Sequence, residues 1–291
     1  MTHRKVSLWF VILTALSLPA LASEASGEFT AGKRPPIKPL YAAAYETRDQ
    51  RDARKRAIEV VLSEEPIDAV AAAAALDPHT DAINQKALME HNYVLLWVRP
   101  GNDVSMNATY SATMTQFIEG TPDRMKAEMT VNTPDRVAGR VFSTKPLETM
   151  DGEPYSINLT FSAAVTHPPA GTKLQAGGGE PGKAFNALQE AMTNRDWDGI
   201  KSHVTPKRLE SFNDSERSVK DNLDDALQTL GMFLPKKAGK ITGGELRGDT
   251  AVLDLEAELF EGQYGLFQIR MVNAGKRWLF DRATRAGLIG N

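Results

Sequence analysis

The hydrophobic positions follow three rhythms in succession. Between Tyr41 and Phe161, apolar residues alternate with polar ones in short runs divided by turn residues. From Phe185 to Leu234 they recur at three- and four-residue steps, and after Gly239 the period returns to two. A period of two puts alternate side chains on opposite faces of a strand, and steps of three and four put them on one face of a helix. The order of rhythms therefore predicts strands, then helices, then strands.

The helical part is explicit. Phe185, Leu188, Ala191 and Met192 form one stripe, and Trp197, Ile200 and Val204 a second. Asp196 is placed to cap the second helix. Thr205-Pro206 restarts it, with the hydroxyl as cap and the proline where its missing N–H is harmless. Ser215 is the predicted cap of a third helix, carried by Val219, Leu223, Leu227, Leu230 and Leu234 and ended by Pro235. Past Gly239, four strands in hairpin spacing follow. Leu253, Leu255, Ala257 and Leu259 alternate with Asp254, Glu256 and Glu258, giving one dry and one wet face. Phe267, Ile269 and Met271 continue the pattern, and Arg277 to Asp281 carries Trp278 and Phe280. Arg270 is expected opposite the acidic row.

In the first half, strands are predicted at Tyr41 to Arg48, around Ile58, Val60 and Leu62, and at Asn92 to Arg99. A long strand follows over Val104 to Ile118, then Arg124 to Val131, Arg136 to Phe142, and Tyr155 to Phe161. Six or seven strands at this spacing predict an antiparallel β-sandwich-like domain or small barrel. Asp49 to Arg56 reads as a charged hairpin tip. Its Arg51, Arg54, Lys55 and Arg56 are solvated, the competing reading being contact with an anionic polymer. An alanine-rich short helix, Ala69 to Leu76, is inserted. Asp77 then caps a further turn at Pro78.

The element order after Gly182, with the phrases Arg195-Asp196-Trp197-Asp198-Gly199-Ile200 and Gly275-Lys276-Arg277-Trp278-Leu279, resembles secreted bacterial members of the ketosteroid-isomerase-like superfamily. The resemblance implies a curved sheet closed over a helix into an α+β cone that often holds a small ligand. It carries over no catalytic residue. The isomerases pair an aspartate base with tyrosine and a protonated acid. Here Tyr264 lies at a hairpin tip, and the acids alternate away from the apolar face. If the cone binds a ligand, Leu188, Met192, Trp197, Phe267, Ile269 and Trp278 are expected to line it.

The ends and the composition set the remaining bounds. Met1 to Lys5 is basic, Val6 to Leu18 almost wholly apolar, and Ala20-Leu21-Ala22 small at the cleavage positions. Residues 1–22 thus read as a signal peptide cut after Ala22, which predicts a periplasmic or secreted protein. Residues 23–39 read as a flexible leader, 40–167 as the β domain, 168–182 as a Gly/Pro-rich linker and 183–291 as the α+β domain. There is no cysteine, so thiolate chemistry, disulfides and a lipoprotein anchor are excluded. The formal charge is −3, and losing Arg4 and Lys5 with the signal peptide makes it −5. An acidic chain has no general attraction for nucleic acid, and no later apolar run spans a membrane. Asp77, His79 and Asp81 alternate acid and imidazole, but Asp77 is accounted for as a cap and no second histidine is adjacent. Neither a metal nor a cofactor is expected. The expected function is a non-catalytic envelope protein binding a protein partner or a small apolar ligand. The alternative is an enzyme of isomerase, dehydratase or hydrolase type, with its site in the cone.

Overall fold

The computed structural model describes residues 23–122, 124–214, 216–235 and 239–290. The expected signal peptide and the expected cap Ser215 lie outside the described residues.

The first lobe holds ten strands: β1 (Glu24–Ala31), β2 (Tyr41–Asp49), β3 (Asp52–Ser63), β4 (Tyr93–Val98), β5 (Val104–Tyr110), β6 (Thr115–Gly120), β7 (Lys126–Thr133), β8 (Arg136–Phe142), β9 (Leu147–Glu148) and β10 (Pro154–Thr166). Helices α1 (Ala69–Ala74), α2 (Pro78–Ile83) and α3 (Lys86–Glu90) fall between β3 and β4. The second lobe begins with β11 (Thr172–Leu174). It continues with α4 (Gly179–Thr193), α5 (Trp197–His203), α6 (Pro206–Glu210) and α7 (Val219–Phe233). It ends in β12 (Lys240–Arg247), β13 (Thr250–Phe260), β14 (Gln263–Asn273) and β15 (Trp278–Leu288).

The alternating strands of the first lobe do not make a two-sheet sandwich. They form one sheet in the order β6-β5-β4-β3-β2-β1-β10-β8-β7, with β9 on β10. The sheet curls until strands distant in that order share one core. Phe117 of β6 lies 5.4 Å, ring to ring, from Tyr155 of β10, and both pack on Phe29 of β1. Tyr155 donates to Glu119 of β6 across the same interior. The inward row includes the small residues Ala31, Ala42, Ala44, Ala108 and Ala163, which leave room for a tight curl around the aromatic centre. Alternation specifies a dry face, and one curled sheet satisfies it as well as two facing ones.

Three more expectations are corrected in this lobe. The leader is structured over Glu24–Ala31, which sits between β2 and β10 with Phe29 fully buried. Gly27, at φ +93°, allows this: a Cβ there would stand 2.0 Å from the Asn158 carbonyl oxygen. Val104 to Ile118 is two strands, broken where Met114 adopts a left-handed conformation at φ 52°. The charged stretch after Asp49 belongs to the sheet from Asp52 onward, paired with β2.

Both faces of the sheet are covered at β2 to β4. Val60 and Leu62 point into the curl, whereas Tyr45, Val61, Leu95 and Trp97 point outward under the short helices. Asp68 and Asp77 cap α1 and α2, accepting from the N–H groups of Ala71 and Thr80.

In the second lobe, α4 to α7 pack on one face of a five-stranded sheet ordered β11-β12-β13-β14-β15. Asp196 and Thr205 act as the expected caps, and Ser218 caps α7. The last strand runs to Leu288 rather than Asp281, held to β14 through two register shifts. Part of the expected linker is structure. Thr172–Leu174 pairs with β12, and Gly179 already opens α4. Gly177, Gly178 and Gly179 all take left-handed conformations, at φ 86°, 68° and 59°, and a Cβ on Gly182 would stand 1.9 Å from the Gly177 carbonyl oxygen. Gly182→Ala is therefore expected to cost about 2 kcal/mol or more, read as a lower denaturation midpoint. A midpoint equal to that of the unsubstituted protein would show this turn to be slack.

Candidate functional site

The polar face of the second sheet does not face open solvent. It turns toward the first lobe, and the β2–β3 hairpin reaches across to it. Arg48 donates to both carboxylate oxygens of Asp254, at 3.3 and 3.0 Å. Arg54 does the same to Glu256, at 3.0 and 2.9 Å. Between these forks, Ala53 is buried against Leu266 and Ile289. The Leu288 N–H donates to the Gln50 carbonyl at 3.3 Å, and that of Gly290 to Asp52 at 3.4 Å. The acids that alternation placed on a wet face thus serve as docking groups. Arg270, expected beside them, pairs instead with Asp281 at 3.4 Å.

The basic cluster around the hairpin is consumed internally. Arg51 pairs with Asp103, Lys55 with Asp52 and Arg56 with Glu46, besides Arg54 with Glu256. Little charge is left there for an anionic polymer. The Arg48–Asp254 pair, made through Nη2 alone, is three-quarters shielded from solvent, where an ion pair is screened less than on the open surface. A double-mutant cycle with Arg48→Ala and Asp254→Ala is expected to give a coupling of about 1 kcal/mol. Zero coupling would mean that the apolar contact at Ala53 docks the lobes without it.

Beside this hinge, a cleft of about 910 Å³ opens between the lobes. Residues 73–79 and the β2–β3 strands form one wall. The polar face of β12 to β15, with Pro168, Pro169 and β11, forms the other. A second bridge closes one side: Asp77, already the α2 cap, accepts from the Thr284 hydroxyl at 3.1 Å. A volume of this size suits a small molecule.

Under the first wall lies an unusual buried row. Tyr45, Glu59 and Trp97 are register partners on adjacent strands β2, β3 and β4, all on the helix-covered face. Glu59 is wholly buried. One of its oxygens meets His79 Nδ1 at 2.7 Å, while the other has no partner among the described residues. The Tyr45 hydroxyl and the Trp97 indole nitrogen are likewise buried without a hydrogen-bond partner. His79 covers the row, its ring 5.7 Å from that of Trp97, and it also lines the cleft. Burial alone would lower the His79 pKa, but the hydrogen bond and charge of Glu59 and the charge of Asp77 outweigh it and raise it above 6.5. Burial, then the Glu59 carboxylate, hold the Tyr45 phenol well above its ordinary range.

The dyad was legible only in part. Asp77 and His79 stand out in the sequence. Glu59 does not, although the neighbouring run Ala57-Ile58 and Val60-Val61-Leu62 is apolar on both faces and so signals burial of whatever lies within it. Asp77, His79 and Asp81 do not converge on a metal, and the described residues hold no group of three His, Asp or Glu placed to do so. The six residues expected to line the cone lie together in the core of the second lobe. Leu188, Trp197, Phe267 and Ile269 are buried, and Met192 and Trp278 pack partly buried against them. None of the six lines the interlobe cleft. No helix among the described residues is long and apolar enough to cross a membrane.

No family model, curated protein or solved structure matches this chain.

Proposed function

We propose that this is a two-lobed binding protein of the bacterial envelope, exported by residues 1–22 and cut after Ala22, which takes a small ligand in the cleft between its lobes. The observation that carries the proposal is the cleft itself, with walls supplied by both lobes and a docked hairpin at one side. In this reading the first lobe is an all-β unit and the second an α+β unit of the ketosteroid-isomerase-like kind. The second lobe's helix-packed face provides stability, and its opposite face provides half of the site. The filled core around Leu188, Trp197, Phe267 and Ile269 argues against an enzyme site inside the second lobe.

The test is a ligand panel read by thermal shift on the mature chain. Binding at the cleft is expected to raise the midpoint, since a ligand selective for the folded state stabilises it by mass action. Ala74→Trp, which puts an indole at an exposed cleft position, is expected to abolish that rise. Ligands that stabilise both proteins equally would place the site elsewhere. Fractionation of cells making the full chain, with the mature N-terminus at Ser23, checks the export.

A further inference from the structure

The chain is acidic, yet the cleft is not. Its lining carries six arginines and lysines against four aspartates and glutamates, whereas the whole chain has 34 against 37. Every one of those four carboxylates already has protein donors. Asp254 holds Arg48, Glu46 holds Arg56 and His167, and Glu245 holds Arg247 at 2.7 Å. Asp77 accepts from Thr80 and Thr284. The cations are not used up in the same way. Arg270 pairs with Asp281 outside the lining, and Lys173, on the cleft face opposite Glu245, has no ion pair among the described residues.

We propose that the interlobe cleft binds a small organic anion, a carboxylate or a phosphate ester, with Lys173 as its counter-charge. The proposal rests on the reading of the cleft as a binding site and names its ligand class. Lys173 stands on β11, at one edge of the second sheet, opposite Glu245 on the cleft face. Arg285 on β15 pairs in register with Phe267 and alternates with Thr284, so it belongs to the helix-packed face. A compact anion needs only the one cation. The polar groups of the lining, Gln268 and Thr250 among them, can hydrogen-bond the rest of such a molecule. Three of the four carboxylates in the lining sit next to their own cation, and Asp77 accepts from two threonines, so an incoming anion meets little uncompensated negative charge. A cationic ligand would find no free acid there.

The experiment titrates the mature protein with citrate and with glycerol phosphate as anions, trehalose as a neutral probe and spermidine as a cation, by calorimetry at low salt. The same titrations are run on Lys173→Ala, Arg285→Ala and Ala74→Trp. Lys173 and Arg285 are exposed, so their replacement leaves the fold intact, which circular dichroism verifies. The expected result is binding of one or both anions, weakened at least tenfold in Lys173→Ala but not in Arg285→Ala, and lost in Ala74→Trp. Citrate alone would assign the carboxylate, glycerol phosphate alone the phosphate ester. Anion binding unchanged in Lys173→Ala, or no anion binding at all, overturns the proposal. Trehalose or spermidine binding that Ala74→Trp removes, without anion binding, overturns the anionic class while leaving the cleft as the binding site.

Discussion

Replacing His79 with alanine is expected to destabilise the protein by about 2–3 kcal/mol. Removing one partner of a buried ion pair leaves the other charge uncompensated, which costs about 3–5 kcal/mol for a fully buried pair. Glu59 is fully buried, but the His79 side chain is 30% exposed, so the expected cost falls below that range. The neighbouring Tyr45 phenol and Trp97 indole N–H are neutral donors, so neither replaces the positive charge that is lost. The double variant Glu59→Leu/His79→Leu is expected to recover most of the loss, since two apolar side chains leave no buried charge. Chemical denaturation of the single and double variants measures both effects. A His79→Ala protein as stable as its parent would show that the pair adds nothing to stability.

The same pair has a pH signature. The folded His79 has its pKa raised above the ordinary 6.5, so the folded state binds its proton more tightly than the unfolded state does. The resulting stabilisation is fully present below about pH 6.5 and is lost as pH rises through the raised folded value. The unfolding free energy should therefore fall over that interval in the parent protein and not in the Glu59→Leu/His79→Leu variant. Parallel pH profiles for the two proteins would remove this assignment.

Arg99→Leu is expected to cost more, about 3–4 kcal/mol. Arg99 and Asp49 are among the few buried charged residues, with side chains 8% and 9% exposed. Arg99 Nε meets Asp49 at 3.0 Å, and its guanidinium also donates to Ser105 at 3.0 Å. Leucine fills much of the space but leaves the Asp49 carboxylate buried without its cation. The effect should not stop at stability. Asp49 also accepts from the Arg51 N–H at the tip of the β2–β3 hairpin, and that hairpin carries Gln50, Asp52, Ala53 and Arg54 to the second lobe. Small-angle scattering of Arg99→Leu should accordingly show a larger radius of gyration if the lobes part. A stable Arg99→Leu with unchanged dimensions would mean that the hairpin needs no anchor at its root.

Much of the local structure is readable without coordinates. The caps at Asp77, Asp196 and Thr205 follow from residue type and position, because a side-chain oxygen before a helix satisfies N–H groups that the helix itself cannot. The strands carrying Leu253 to Leu259 and Phe267 to Met271 follow from alternation. The leader misled because Glu24–Ala31 has its period broken at Gly27, and a proline-bearing stretch follows. Only the fit of that glycine against the Asn158 carbonyl accounts for the strand. The triple glycine misled in the opposite direction: three glycines held in fixed left-handed conformations read in sequence like three in a loose joint.

By itself, then, the order of residues determined most of the helices and strands, which face of those is dry, and that the chain holds a strand-rich first part and a mixed second part. The tertiary structure alone decided what stands opposite each polar face: Arg48 against Asp254, Arg54 against Glu256, and His79 over a glutamate twenty positions earlier. The reason is physical. A hydrophobic period reports whether water is excluded from a face, a property of neighbouring residues. Charge partners some two hundred residues apart are chosen by how two sheets come to rest against each other, and that leaves no period in the chain.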